Sequence, residues 1–280
     1  MIGKLAGCLL ALALGTGVWA QSPSELRMLV NADEARAWQA VGRLDLDDSG
    51  FCTGALISES LVLTAAHCVY SRRSGEMYDP GRIVFRAGLR NGRATASRRA
   101  RRFIVHDKYR YDDDDKMRRV ASDVAIVELE RPIRDASVIP FERYGTPRAE
   151  DRFMVVSYAA GREDAPSLQE ACEMLDERGD VLVMSCAVTF GASGSPVFVQ
   201  SASGPKIASV MSAMASWREQ DVSLAASLGA PLDSLLRQLA VSDPVFRSLQ
   251  VKAEGDRASI AKQLGRTAAS QPGRLPQIAR

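Results

Sequence analysis

From Ala40 onward the chain is a succession of short apolar runs broken by polar stretches rich in Gly, Asp, Ser and Pro. Val41-Gly42-Arg43-Leu44-Asp45-Leu46 alternates apolar and polar residues, the two-residue period of a half-buried strand, and Asp47-Asp48-Ser49-Gly50 reads as a turn. Residues 51–58 and 61–66 form two further strand-like runs around a polar turn. Others follow at 83–85, 103–105, 124–129, 153–158, 181–184, 197–199 and 207–211. Many short strands at this spacing predict an all-β barrel or sandwich. Residues 231–239 instead place Leu232, Leu235, Leu236 and Leu239 at helical spacing, behind a proline whose fixed φ suits a first turn. Residues 21–39 are polar and mildly helical, without a strong period.

The first twenty residues carry a different signal. Lys4 precedes an apolar run from Leu9 to Val18, and Val18-Trp19-Ala20 offers small residues at a cleavage site. The run is too short to span a bilayer, so residues 1–20 are expected to be a removable secretory signal, with no stable membrane anchor. Leu5-Ala6-Gly7-Cys8 matches a lipoprotein cleavage box, but its apolar run follows the cysteine instead of preceding it. Removal of the signal takes Cys8 with it and leaves Cys52, Cys68, Cys172 and Cys186. An even count in an exported chain reads as two disulfides, with three possible pairings, of which the sequence-local one is simplest. A secreted or periplasmic location follows. The absence of a Cys-x-x-Cys motif and the presence of two histidines alone argue against a metal site, and no cofactor is expected.

Composition adds little: 280 residues, 46% hydrophobic and 25% charged, is ordinary globular usage, and a net charge of +2 gives no ground for a nucleic-acid partner. Arg98, Arg99, Arg101 and Arg102 are expected to form a solvated edge that blunts strand pairing. Residues 112–115, four adjacent aspartates, read as a solvated loop, because consecutive carboxylates do not converge on a cation as calcium ligands do. Residues 244–280, polar and basic, are expected to be a weakly ordered tail.

The candidate chemistry lies in Thr189-Phe190-Gly191-Ala192-Ser193-Gly194-Ser195-Pro196, where a serine stands between two glycines. Glycines on both sides allow a sharp bend and close approach to a ligand, and a serine there exposes its hydroxyl. Serine needs a base within hydrogen-bond reach and a group that orients the base. His67 closes the apolar run Leu63-Thr64-Ala65-Ala66 beside Cys68, a rigid setting for an imidazole. His106, at the end of another strand before a charged loop, is read as structural. Asp123 heads the apolar run Val124-Ala125-Ile126-Val127, where an unpaired carboxylate would be costly, and so fits the orienting role. The chain order His67, Asp123, Ser193 differs from the serine-first order of α/β hydrolases and the aspartate-first order of subtilisins.

With these motifs in this order, residues 38–240 resemble the trypsin/chymotrypsin-like serine protease family. The resemblance rests on Phe51-Cys52-Thr53-Gly54-Ala55-Leu56-Ile57-Ser58, Leu63-Thr64-Ala65-Ala66-His67-Cys68, Ser122-Asp123-Val124-Ala125-Ile126 and Gly191-Ala192-Ser193-Gly194-Ser195-Pro196. It implies two antiparallel six-stranded β-barrels with the site between them, a C-terminal helix and a peptidase domain over 40–243. It also implies a Cys52–Cys68 disulfide; Cys172–Cys186 resembles a second family disulfide more loosely. The implied activity is that of a serine endopeptidase acting on protein or peptide substrates. His67, Asp123 and Ser193 would be its triad, and the backbone N–H groups of Gly191 and Ser193 its oxyanion donors.

Two departures qualify the resemblance. Ala192 stands where the digestive enzymes carry the aspartate that pairs with a freed N-terminus, so that activation switch is not expected. Together with Gly194-Ser195-Pro196 this resembles the secreted bacterial branch. The resemblance places Ala187 at the base of the primary pocket and Ser212, Ala213 and Met214 along its wall. A non-acidic Ala187 disfavours Lys or Arg, and neither histidine is available for the glutamyl endopeptidase pattern, so a shallow apolar pocket for small residues is expected. The competing reading is a catalytically weak, protease-like binding protein, a class that typically loses a triad member.

Overall fold

In the computed structural model, which describes residues 25–47 and 50–242, the apolar runs become strands of two antiparallel barrels. A short N-terminal strand, β1 (Arg27–Met28), and a helical turn, α1 (Ala32–Ala35), precede them. The first barrel is built from β2 (Val41–Leu46), β3 (Phe51–Ser58), β4 (Leu61–Thr64), β5 (Ile83–Ala87), β6 (Ala96–Val105) and β7 (Ala125–Leu129). It closes in the order β2-β3-β4-β7-β6-β5, with β5 returning to β2. Its interior holds Leu44, Leu56, Leu63, Ile83, Phe85 and Ile126, all fully buried. A short helix, α2 (Lys116–Ala121), lies between β6 and β7.

The second sheet contains β8 (Phe153–Ala159), β9 (Arg162–Cys172), β10 (Met174–Arg178), β11 (Val181–Met184), β12 (Pro196–Ser201), β13 (Gly204–Trp217) and β14 (Gln220–Ser227). Hydrogen bonding runs β1-β9-β8-β12-β13-β14-β11-β10. β9 and β10 are separated by Glu173 alone and are one bent strand, pairing with β8 through its first part and with β11 through its second. Counted so, the sheet is a second six-stranded barrel, with β1 added outside on β9. The bend is held by Glu173, whose amide donates to Ser185 Oγ at 2.8 Å and whose carbonyl accepts from the Ser185 amide at 2.9 Å. The Cys172–Cys186 disulfide clamps the same place, and Cys52–Cys68 ties β3 to the turn after β4. Both sequence-local pairings are therefore formed. The last helix, α3 (Gly229–Ser242), buries Leu232 and Leu235 as its leucine spacing predicts.

Residues 21–39 are not a mere leader to the barrels: their described part is built into the core. Leu29, Ala35 and Trp38 are buried, and the Trp38 ring lies 5.1 Å from Phe198 and 6.1 Å from Phe141. β9 and β14 escape the apolar-run pattern because small or polar residues fill their buried positions, Ala165, Ser167 and Gln169 in one and Ser223, Ala225 and Ala226 in the other. The arginine cluster is not on a free edge. It lies within β6, which is paired on both sides, by β5 and by β7. Arg98 lies opposite the buried Phe85 and is half-buried, whereas Arg99 and Arg101 are exposed, and Arg101 and Arg102 both meet Glu128. The aspartate run is likewise partly ordered. Asp115 caps α2 by accepting the Met117 and Arg118 amides, and Asp113 accepts two hydrogen bonds from Arg118, which hold its carboxyl down at about 2. The proposed signal (1–20) and tail (244–280) lie outside the described residues. Among the described residues no helix is long and apolar enough to cross a membrane.

Candidate active site

Strand register brings the first two predicted residues together. In the β4–β7 pair Thr64 lies opposite Ala125, so the segment leaving β4 and the segment entering β7 emerge from the same end of the barrel. Three residues past Thr64, a 3-10 turn (Ala66–Val69) carries His67; two residues before Ala125 stands Asp123. His67 Nδ1 is 2.7 Å from Asp123 Oδ2, and the His67 amide donates to Asp123 Oδ1 at 2.8 Å. Ser212, at the wall position, also reaches Asp123: its hydroxyl donates to Oδ2 at 2.5 Å. The Asp123 side chain is only 3% exposed, a burial its charge tolerates because these donors surround it. In the tautomer that donates Nδ1–H to the carboxylate, Nε2 is the acceptor nitrogen of the His67 ring. Tyr109 packs nearby with Ala66 and Ala125, and burial first, then the Asp123 charge, pushes its phenol far above the usual range, so it stays neutral.

Ser193 comes from the other barrel, on the loop between β11 and β12. It shares with His67 a cavity of about 190 Å³ whose wall includes Ser212, Ala213 and Met214. The loop needs its glycines. Gly191 has φ +94° and Gly194 φ +79°; a Cβ on Gly191 would lie 2.3 Å from the Phe51 ring, and one on Gly194 2.1 Å from Thr64 Oγ1. Ala192 is fully buried, with its amide on the Thr189 carbonyl at 3.0 Å.

Bracing of this loop falls to groups that sequence reasoning passed over. The Thr53 amide, on β3, donates to the Ser193 carbonyl at 2.8 Å. Thr53 Oγ1 accepts from the Tyr158 amide at 2.9 Å and has the Gly191 and Tyr158 carbonyls at 3.1 and 3.2 Å for its own proton. The Ala160 amide donates to the Phe190 carbonyl at 2.7 Å, and the Gly194 amide to Met211 at 2.8 Å. With carbonyls thus engaged on the barrel side, the Gly191 and Ser193 amides meet no acceptor among the described residues. A threonine within an apolar strand run was the available signal for this role; what it lacked was any sign of which loop lay opposite.

The pocket residues separate into two places. Ser212, Ala213 and Met214 line the cavity that holds His67 and Ser193, whereas Ala187 is exposed and lines a neighbouring cavity of about 560 Å³. Val188 and Met214 border both spaces and stand between them. Ala187 is therefore beside the site cavity, not at its base, because Met214, where the resemblance suggests a small residue, occupies the boundary. His106 is buried 8% exposed and away from these cavities; its Nδ1 faces the Lys108 amide at 3.4 Å, and burial lowers its basicity, opposed by Asp107. Cys52, His67 and Cys68 crowd three potential metal donors within 4.8 Å, but both sulfurs are spent in the disulfide and cannot act as thiolates.

The Trypsin family model matches residues 30–221. A mouse protein, transmembrane protease serine 11E, is 33% identical over 102 residues, 36% of this chain and 21% of its own length. Trypsin from Sarcophaga bullata is 30% identical over 95 residues, 34% of this chain and 33% of its own. The matched stretches thus span about a third of these curated relatives at most. Among solved structures, a Glu endopeptidase in complex with MPD superposes with TM-score 0.63 at 16% identity, covering 78% of this chain and 97% of that one. A thermostable serine protease, AL20, from an extremophilic microorganism does so with TM-score 0.60 at 16% identity, covering 74% and 100%. Two barrels of chymotrypsin-like topology and a family match across most of the described residues lead to one conclusion: the chain belongs to the trypsin family.

Proposed function

We propose that this protein is a serine endopeptidase in which His67, Asp123 and Ser193 hydrolyse peptide bonds through an acyl-enzyme. The observation that carries the reading is the contact at 2.7 Å between His67 and the buried Asp123, opening on the cavity that also holds Ser193. His67 Nε2 takes the Ser193 proton as the hydroxyl oxygen attacks the scissile carbonyl carbon. Asp123 keeps the imidazole in the Nδ1-protonated tautomer and stabilises the imidazolium. The Gly191 and Ser193 amides, which have no competing acceptor among the described residues, donate to the carbonyl oxygen as it becomes an oxyanion. His67 then returns the proton to the leaving amine, and water, activated by the same base, releases the acyl group.

The buried Ala192 leaves no carboxylate for a freed N-terminus, and the Thr53, Ala160 and Met211 hydrogen bonds hold the loop without one. That favours an enzyme whose oxyanion site is assembled on folding. The small cavity, bordered by Met214 and with no acidic group among its described lining residues, favours small residues over Lys or Arg before the cut. Two disulfides support export to the cell exterior or periplasm. A fluorophosphonate probe tests the reading. Wild-type protein is expected to label and to cleave peptides, with both lost in Ser193→Ala; a folded wild type that takes no label would instead favour the binding-protein reading.

A further inference from the structure

We infer that Arg72 selects substrates carrying a carboxylate on the leaving-group side of the cut, that is, Asp or Glu one or two residues after the scissile bond. The inference rests on the endopeptidase reading above. Two cavities flank His67. One holds Ser193 and the Ser212–Met214 wall; the other, of about 120 Å³, is floored by the Cys52–Cys68 disulfide and by Gly191. With the residue before the cut against the wall, the chain continues past Ser193 into the second space. Arg72, Phe190 and His67 line both.

Arg72 is held for this role by position more than by bonding. It follows the turn that carries His67, and its guanidinium lies 5.8 Å from the centre of the Phe190 ring, on the serine loop. It makes no ion pair or hydrogen bond among the described residues. Among the described residues neither cavity is lined by a carboxylate, so Arg72 is the charge that a bound peptide meets there. Over the face of the Phe190 ring the guanidinium keeps its donors free for a carboxylate. Lys would replace the fork by a point charge and weaken the preference.

The test is digestion of a proteome-derived peptide library by wild type, Arg72→Ala and Arg72→Glu, at low and high salt. Wild type is expected to enrich Asp and Glu at one or two positions after the cut by about tenfold over Asn and Gln, less so at high salt. Arg72→Ala should lose the enrichment and Arg72→Glu should turn it toward Lys and Arg. Cleavage with one unchanged profile in all three proteins overturns the assignment to Arg72 and leaves the endopeptidase reading standing. No cleavage by the labelled-competent wild type overturns both.

Discussion

Asp123 is the most tightly held charge in the site, with three donors on its two oxygens. Asn in its place keeps the shape but turns one oxygen into an NH2 group facing a donor, and it releases the imidazole tautomer. Asp123→Asn should lower kcat by about four orders of magnitude while the circular dichroism spectrum is unchanged. Ser212→Ala leaves both contacts to His67 and should cost far less, a contrast that steady-state kinetics on one peptide can read. His106 makes a prediction about pH. Burial lowers its folded-state pKa, so in the window below its unfolded value of about 6.5 the unfolded chain binds the extra proton. Its contribution is therefore complete above that value, and stability falls as pH drops below it. His106→Asn, which can still accept from the Lys108 amide, should flatten the loss of melting temperature between neutral pH and about pH 5.

The serine loop owes its shape to the strand beneath it. β3 delivers Thr53, whose amide and hydroxyl meet Ser193, Gly191 and Tyr158 across the junction of the barrels. Thr53→Val preserves volume but leaves the buried Tyr158 amide without an acceptor, so it should destabilise by about 1–3 kcal/mol in urea melts. If the loop depends on this brace, kcat should fall more than KM rises, and Thr53→Ser should restore it. An unchanged kcat in a destabilised but folded Thr53→Val protein would reduce Thr53 to a packing role. The same logic explains the two glycines: their positive φ values and absent side chains let the loop press against Phe51 and Thr64.

Across the molecule, the two barrels are joined by an aromatic cluster and by the site itself. Trp38, Phe141 and Phe198 pack in tilted and edge-on contacts at the junction, while Thr53 and Ser212 each reach from one barrel into the other's part of the site. The disulfides close short loops within each barrel. Cys52–Cys68 spans 16 residues, so replacing both by Ala should cost about 3 kcal/mol through unfolded-chain entropy. Because Cys68 adjoins His67, activity in that variant should melt before the bulk of the fold, measurable as an activity midpoint below the spectroscopic one in urea. Loss of both at one midpoint would mean that the disulfide supports the barrel as a whole and the site only through it.

Much of this was readable from local pattern. Strands with strong apolar runs, such as β4, β7 and β11, and the leucine-spaced α3 announce themselves because burial on one or both faces demands it. The order of His67, Asp123 and Ser193 within short motifs pointed to the family, since each needs a particular neighbour in the chain. β9 and β14 were invisible because their inward positions are filled by Ala, Ser and Gln, whose burial is decided by the strands packed on them. The arginines of β6 gave a charge signal but no sign that both their neighbours were paired strands. Ala187 and Met214 could be aligned but not placed, because which side chain divides two cavities depends on contacts between segments far apart in the chain. For the same reason neither Thr53, a polar residue in an apolar run, nor Arg72 could be given a role: their significance arises when the fold sets them against the serine loop.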